Sequence, residues 1–238
     1  ATFHRRLTIT STQKLPSHLY LHDSIIRVAC PRHRLRWVAD DAPNLKKEID
    51  IKMARSINQP LIWIDCEMTG LDTRIDHIIE IATLVTDSDL NLSAEGPEIA
   101  VKRPKAMLDA MNDWNTKHHT QSGLVDRVLQ SQIDIDEADR LTRDFIAQYA
   151  EPHAAPLCGN SVWQDRRFID FEMPLTSQIL HYRNVDVSSF KEMARRWYPD
   201  LEPYKKANHH RALDDIRESI EELRYYRRMI FVPLTGSR

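Results

Sequence analysis

The 238-residue sequence is poor in cysteine and glycine, and it lacks any apolar run long enough to span a bilayer. Its three cysteines, Cys30, Cys66 and Cys158, are scattered, odd in number and without a CxxC pair. A disulfide framework and a structural zinc site are thereby disfavoured, and a reducing compartment is expected. The longest apolar stretches, Leu61–Ile64 and Ile78–Val85, are strand-sized, so no membrane partner is expected. A basic body is also missing. Net charge is −2, and residues 1–58 carry 11 Lys and Arg against 5 Asp and Glu, which leaves 22 against 30 for the rest. Binding along a long polyphosphate draws on counterion release at basic surfaces, so an acidic body fits a small substrate and carboxylate-held cations better.

What is present divides in two. Residues 1–58 are read as a basic N-terminal extension. Up to Val38 the only acid is Asp23, and Pro16, Pro31 and Pro43 interrupt a weakly periodic text. Such a composition suits a tail, a fusion remnant or a mitochondrial transit segment. The expected compartment is the cytoplasm, with the mitochondrial matrix as the alternative if this is a transit segment. Residues 59–232 are read as the main domain and 233–238 as a C-terminal tail.

From Leu61 the pattern is α/β. Leu61–Cys66, Ile78–Asp87 and Ile99–Val101 are expected to form an antiparallel meander. Helices are expected over Lys105–Lys117 and Asp134–Tyr149; in the second, Ile135, Ala138, Leu141, Phe145 and Tyr149 recur every three or four residues. Short strands at Pro156–Gly159 and Val185–Val187 precede helices over Gln164–Phe171 and, capped by Ser188, Phe190–Tyr198. A last helix carries Leu213, Ile216, Ile220, Leu223 and Tyr226 on one face. The expected fold class is a mixed β-sheet flanked by helices.

Three segments hold candidate chemistry. In a strand, side chains alternate, so Asp65 and Glu67 point the same way at the end of an apolar run. Paired carboxylates repel unless a cation lies between them, and hard divalent ions prefer such oxygen ligands. Alone, an Asp-x-Glu at a strand end is commonly just solvated. Asp165 falls in the first turn of a helix after Gly159-Asn160-Ser161, where the helix dipole favours an acid, functional or not. In Asn208-His209-His210-Arg211-Ala212-Leu213-Asp214-Asp215, the apolar stripe puts Asp215 near the buried edge and Asp214 further out. On a regular helix His210 and Asp215 would lie about 140° apart. His210 therefore makes better sense ahead of the helix, leaning over the site without ligating a metal.

The combination is more specific than its parts. Asp65-x-Glu67, Asp165 and His210-x₄-Asp215 follow the order of the DEDDh 3′→5′ exonucleases of ribonuclease H-like fold. The flanking text resembles the oligoribonuclease family more closely still: Trp63 to Leu71, Cys158 to Ser161, His181-Tyr182-Arg183, Asp186-Val187-Ser188 and His210 to Ser219. The resemblance runs from about Gln59 to Phe231. It implies a 3′→5′ exoribonuclease that degrades short RNA oligonucleotides, especially dinucleotides, to nucleoside 5′-monophosphates. Asp65, Glu67, Asp165 and Asp215 would hold two divalent cations, Mg²⁺ or Mn²⁺, and His210 would be the general base. By the same resemblance Leu71 is an apolar wedge, Trp114 and Tyr182 stack on bases, and Ser161, Arg183, Ser188 and Lys191 grip a 5′ phosphate. A homodimer is implied, with Tyr182 and Arg183 supplied across its interface. Trp163 is bulkier than the resemblance leads one to expect. A non-catalytic RNA-binding module on the same fold is the competing reading, and loss of a ligand position would favour it; all five positions are present.

Overall fold

The computed structural model describes residues 57, 59–205 and 211–231. The chain divides into two compact units, 1–45 and 46–238, and every described residue belongs to the second. The expected N-terminal extension and C-terminal tail therefore fall almost wholly outside the described residues, and so does His210.

Five strands form one mixed sheet: β1 (Leu61–Met68), β2 (Ile78–Thr86), β3 (Leu92–Ala100), β4 (Leu157–Gly159) and β5 (Asn184–Asp186), in the order β3-β2-β1-β4-β5. β1, β2 and β3 pair antiparallel, as the meander reading expected, while β4 joins β1 and β5 joins β4 in parallel. The third strand begins earlier than expected, at Leu92. Its residues are exposed or half-buried except Ile99 and include Gly96 and Pro97, both tolerated at a sheet edge, so it lacks the apolar alternation that marks the inner strands.

Among the described residues the helices are α1 (Lys105–Asp109), α2 (Asp113–Gln121), α3 (Leu124–Gln130), α4 (Ile135–Ile146), α5 (Trp163–Glu172), α6 (Pro174–Ile179), α7 (Val187–Trp197) and α8 (Ala212–Ile230). The single helix expected over Lys105–Lys117 is two. The first stops at Asp109 with Ala110 as its C-cap, and Asn112 caps the second, its side chain accepting from the Asn115 N–H. Gly123, left-handed at φ 75°, makes the turn into α3. Asp186, not Ser188, caps α7 by accepting from the Ser188 N–H at 2.9 Å.

Strand alternation separates two cores. Ile62, Ile64 and Cys66 point into a cluster with Ala138, Ile146, Phe168 and Ile169 from α4 and α5. Trp63 points the other way, into a cluster with Ala82, Leu84, Ala212, Ile216, Ile220 and Leu223, the last four from α8. Asp65 and Glu67 continue the Trp63 face. The helix that covers Trp63 therefore presents its first turn to the two carboxylates. No described helix is long and apolar enough to cross a membrane.

Candidate active site

Among the described residues, Asp65, Glu67 and Asp215 form a group whose carboxylate oxygens lie within 4.8 Å of one another. Two come from β1 and one from the first turn of α8, so the cluster depends on α8 docking along the Trp63 face. Burial, and then the charges of Asp215, Glu80 and Asp165, push the Glu67 carboxyl up to about 8. Asp165 is buried in the first turn of α5, and its Oδ1 accepts a hydrogen bond from the Cys66 N–H at 3.0 Å. Burial pushes its carboxyl up to about 7, against the opposing effect of that hydrogen bond. Acids gathered this closely destabilise one another unless a cation joins them, and an all-oxygen donor set suits a hard divalent ion. The donor chemistry therefore fits the metal expected here. Asp165 is not one of the three mutually close acids; it is tied instead to the strand backbone between Asp65 and Glu67.

Three supporting residues escaped the sequence reading. Glu80 is paired with Glu67 across the β1–β2 ladder and is buried. Its carboxylate binds Arg127 of α3 and accepts from the Ala212 N–H at the start of α8. It thus pins the helix that carries Asp215. An acid within the apolar run Ile78–Val85 was the available signal. The second and third are Asn115 and His119, four residues apart on α2. Asn115 Nδ2 donates to the Thr69 carbonyl at 2.7 Å, and His119 Nε2 meets the Met68 carbonyl at 3.0 Å. A carbonyl only accepts, so Nε2 carries a proton, leaving Nδ1 4.0 Å from Glu67. Burial holds the His119 imidazole below its ordinary pKa. Together the two side chains clamp the backbone directly after Glu67.

That clamp also joins the segments bearing Leu71 and Trp114. Both side chains are exposed, at 68% and 62%, and Trp114 stacks on His118 with centroids 3.8 Å apart. Neither is a core residue. The loop holding Leu71 is internally hydrogen-bonded: Asp76 accepts from the Thr69 hydroxyl and the Asp72 N–H, and a Cβ on Gly70 would lie 2.3 Å from the Asp76 carboxylate. Gln164 Nε2 ties the Leu71 carbonyl to α5 at 3.0 Å.

A groove of about 430 Å³ opens beside Ser161, Trp163, Asp186, Ser188, Glu192 and Met193. Ser161 is held at φ 51°, a left-handed conformation that non-glycine residues adopt at a cost. Its N–H donates to both Asp186 Oδ1 and Ser188 Oγ, each at 2.9 Å, and the two serine hydroxyls are 3.1 Å apart. Trp163 lies on the rim, 55% exposed, under the Arg167 guanidinium at 5.7 Å. Lys191 and Arg183 do not line this groove. Lys191 Nζ approaches Glu222 at 3.9 Å, and Arg183 sits 5.3 Å over the ring of Tyr182. Tyr182 is 73% exposed and stacks on His181.

The family model RNase_T, Exonuclease, matches residues 62–223, a span that contains all four carboxylates. The chain is also similar to relatives named Oligoribonuclease. The protein of Legionella pneumophila (strain Corby) is 56% identical over 171 residues, 71% of this chain and 91% of the relative. The chain belongs to the oligoribonuclease family. That of Acinetobacter baylyi is 50% identical over 181 residues, covering 76% of this chain and 99% of the relative. Family membership makes the protein an exonuclease, and the acidic cluster is where a divalent metal would bind. Solved structures agree in fold at low identity. Exonuclease I from Methylocaldum szegediense superposes with a TM-score of 0.52 at 18% identity, and the zinc-bound E. coli Exonuclease I–ssDNA complex with 0.53 at 13%. In both cases 72% of this chain is covered but only 41% of the larger protein, so the shared part is the ribonuclease H-like exonuclease fold.

Proposed function

We propose that this exonuclease degrades short RNA from the 3′ end to nucleoside 5′-monophosphates, with dinucleotides as preferred substrates. The observation that carries the reading is the meeting of Asp65, Glu67 and Asp215, from a strand end and a distant helix, at mutual distances within 4.8 Å. With Asp165 they would hold two divalent cations, Mg²⁺ or Mn²⁺. Bound there, the cations supply acidification of a water and neutralisation of charge at the scissile phosphate.

The side chains of this protein divide the remaining work. His210, just ahead of α8 in the sequence, takes a proton from the attacking water at an imidazole nitrogen, a role for which histidine is the usual side chain. Leu71 wedges against the bases. Trp114 and Tyr182 stack on them, and stacking tolerates every base at roughly 1–3 kcal/mol each. Ser161 and Ser188 receive the 5′ phosphate, helped by Arg183 and Lys191. A grip at both ends of a dinucleotide excludes longer strands, in keeping with a body that carries 30 acids against 22 bases beyond residue 58. Tyr182 and Arg183 act across a homodimer interface, and the 73% exposure of Tyr182 in one chain leaves it available for that.

The test is turnover of 5′-phosphorylated RNA two and seven nucleotides long, with Mg²⁺ and with EDTA, beside His210→Ala. Fast, EDTA-sensitive dinucleotide cleavage that the variant loses is expected. A heptamer cut much faster than the dinucleotide would replace this reading with a general exonuclease. Binding of RNA without cleavage would leave a non-catalytic module.

A further inference from the structure

Between the two ends of the proposed substrate site lies Asn160, a residue with no role in the reading above. It follows β4 and precedes Ser161, and its side chain uses its donor and acceptor sides on different elements. Asn160 Oδ1 accepts from the Ser188 hydroxyl at 3.1 Å. Asn160 Nδ2 donates to the Ser219 hydroxyl at 2.8 Å and to Glu222 at 3.0 Å, both on α8. The Ser219 hydroxyl donates in turn to the carbonyl of Asp215 at 2.8 Å. Ser188 accepts from the Ser161 N–H at 2.9 Å. An unbroken hydrogen-bonded path thus runs from the backbone of the metal-site residue Asp215, through Ser219 and Asn160, to the Ser188–Ser161 hydroxyl pair.

We propose that Asn160 is a positioning residue that fixes the Ser161–Ser188 pair relative to α8, so that the span between the 5′-phosphate grip and the metal ligands matches a dinucleotide. This rests on the reading of Ser161 and Ser188 as that grip. Three features support a set spacing. Glu222 is fully buried and Ser219 nearly so, so the foot of the path is anchored in the core. The amide's planarity fixes the angle between its acceptor and its donors. The path also holds Ser161 at φ 51°, a conformation that needs its surroundings to maintain it. Asparagine is suited to the position because it offers an acceptor and two donors at once. Aspartate would keep the acceptor for Ser188, lose both donors, and face Glu222 with a like charge.

The readout is the preference for 5′-phosphorylated over 5′-hydroxyl dinucleotide, as the ratio of kcat/KM values with Mg²⁺, in the full-length protein. Asn160→Leu and Asn160→Asp are expected to lower that ratio by about tenfold or more, the scale of one charge-assisted hydrogen bond. Ser219→Ala keeps the contact to Glu222 and should lower it about threefold; it carries the test if the Asn160 variants fail to fold. Ser188→Ala is the control for the underlying reading. If Ser188→Ala leaves the ratio unchanged, the grip itself is misassigned and this inference falls with it. If Ser188→Ala lowers the ratio but the Asn160 and Ser219 variants leave it intact, or slow both substrates equally, the grip stands and Asn160 is merely structural.

Discussion

The Asp165 carboxylate accepts the Cys66 N–H at 3.0 Å, joining positions 99 residues apart. The contact locks the start of α5 onto the strand residue that separates Asp65 from Glu67. The cost of burying this carboxylate is visible in its raised affinity for a proton, which the hydrogen bond from Cys66 only partly offsets. A buried acid aimed at a strand end is costly on its own terms and useful where a cation completes it.

Asp165→Asn is accordingly expected to separate stability from activity. The amide oxygen can still accept from Cys66, and the repulsion with neighbouring acids is gone. The metal-free variant should melt at or above the wild-type temperature while turnover falls by more than about 100-fold, since even residues supporting metal ligands cost 10- to 100-fold when lost. Thermal melts and single-substrate kinetics check both halves.

Stability of the metal-free protein should depend on pH with a definite sign. The Glu67 carboxyl is raised to about 8 and that of Asp165 to about 7, both above their values in an unfolded chain. The folded state then binds more protons than the unfolded state between about pH 4.5 and 8, so its stability falls as pH rises through that window. Melting temperatures in EDTA should drop across the window, Glu67→Gln should flatten the slope, and Mn²⁺ should restore stability at pH 8. A melting temperature that climbs steadily from pH 5 to 8 in EDTA would contradict the assignment.

Glu80→Ala is expected to cost about 1–3 kcal/mol, because it removes the acceptor for the Ala212 N–H and one of the two carboxylates that Arg127 meets, leaving Glu98. Beyond stability, it should loosen the start of α8 and lower activity at temperatures where the variant remains folded. Denaturant unfolding gives the first quantity. The metal concentration needed for half-maximal turnover gives the second, expected to rise.

Trp114→Ala should leave the fold alone, since the side chain is 62% exposed and its ring contact is with His118. It should raise KM for a dinucleotide by about tenfold, within the range of one base–aromatic stack. A variant with lowered melting temperature and unchanged KM would return Trp114 to a structural role.

Much of the site was legible because it rests on local rules. Strand alternation alone puts Asp65 and Glu67 on one side, and the stripe from Leu213 alone puts Asp215 near the buried edge of its helix. Both placements hold in the structure, as does the antiparallel meander. The first strand was read too short because it continues past its apolar run, and its last residues, including Glu67 and Met68, are only half-buried. The third strand was missed over Leu92–Glu98 because an exposed edge strand needs no apolar alternation. Two short helices, α3 and α6, were missed as well. A turn or two of helix shows too little period to read, and α6 is capped from α4, where Asp139 accepts the N–H groups of Leu175 and Thr176.

The sequence by itself determined which side chains could act, their order along the chain, the sheet-and-helix class, and membership of a family whose signature spans Asp65 to Asp215. These depend on periodicity and on residue identity, which are properties of the chain alone. Only the tertiary structure decided which of them meet: α8 lying along Trp63 brings Asp215 to Glu67, and Glu80 reaches the first turn of that helix. It likewise decided that Asn160 bridges Ser188 to Ser219 and Glu222. Such contacts are set by how two separately amphipathic elements share one core, and no local pattern encodes partners that lie 28, 59 and 62 residues away.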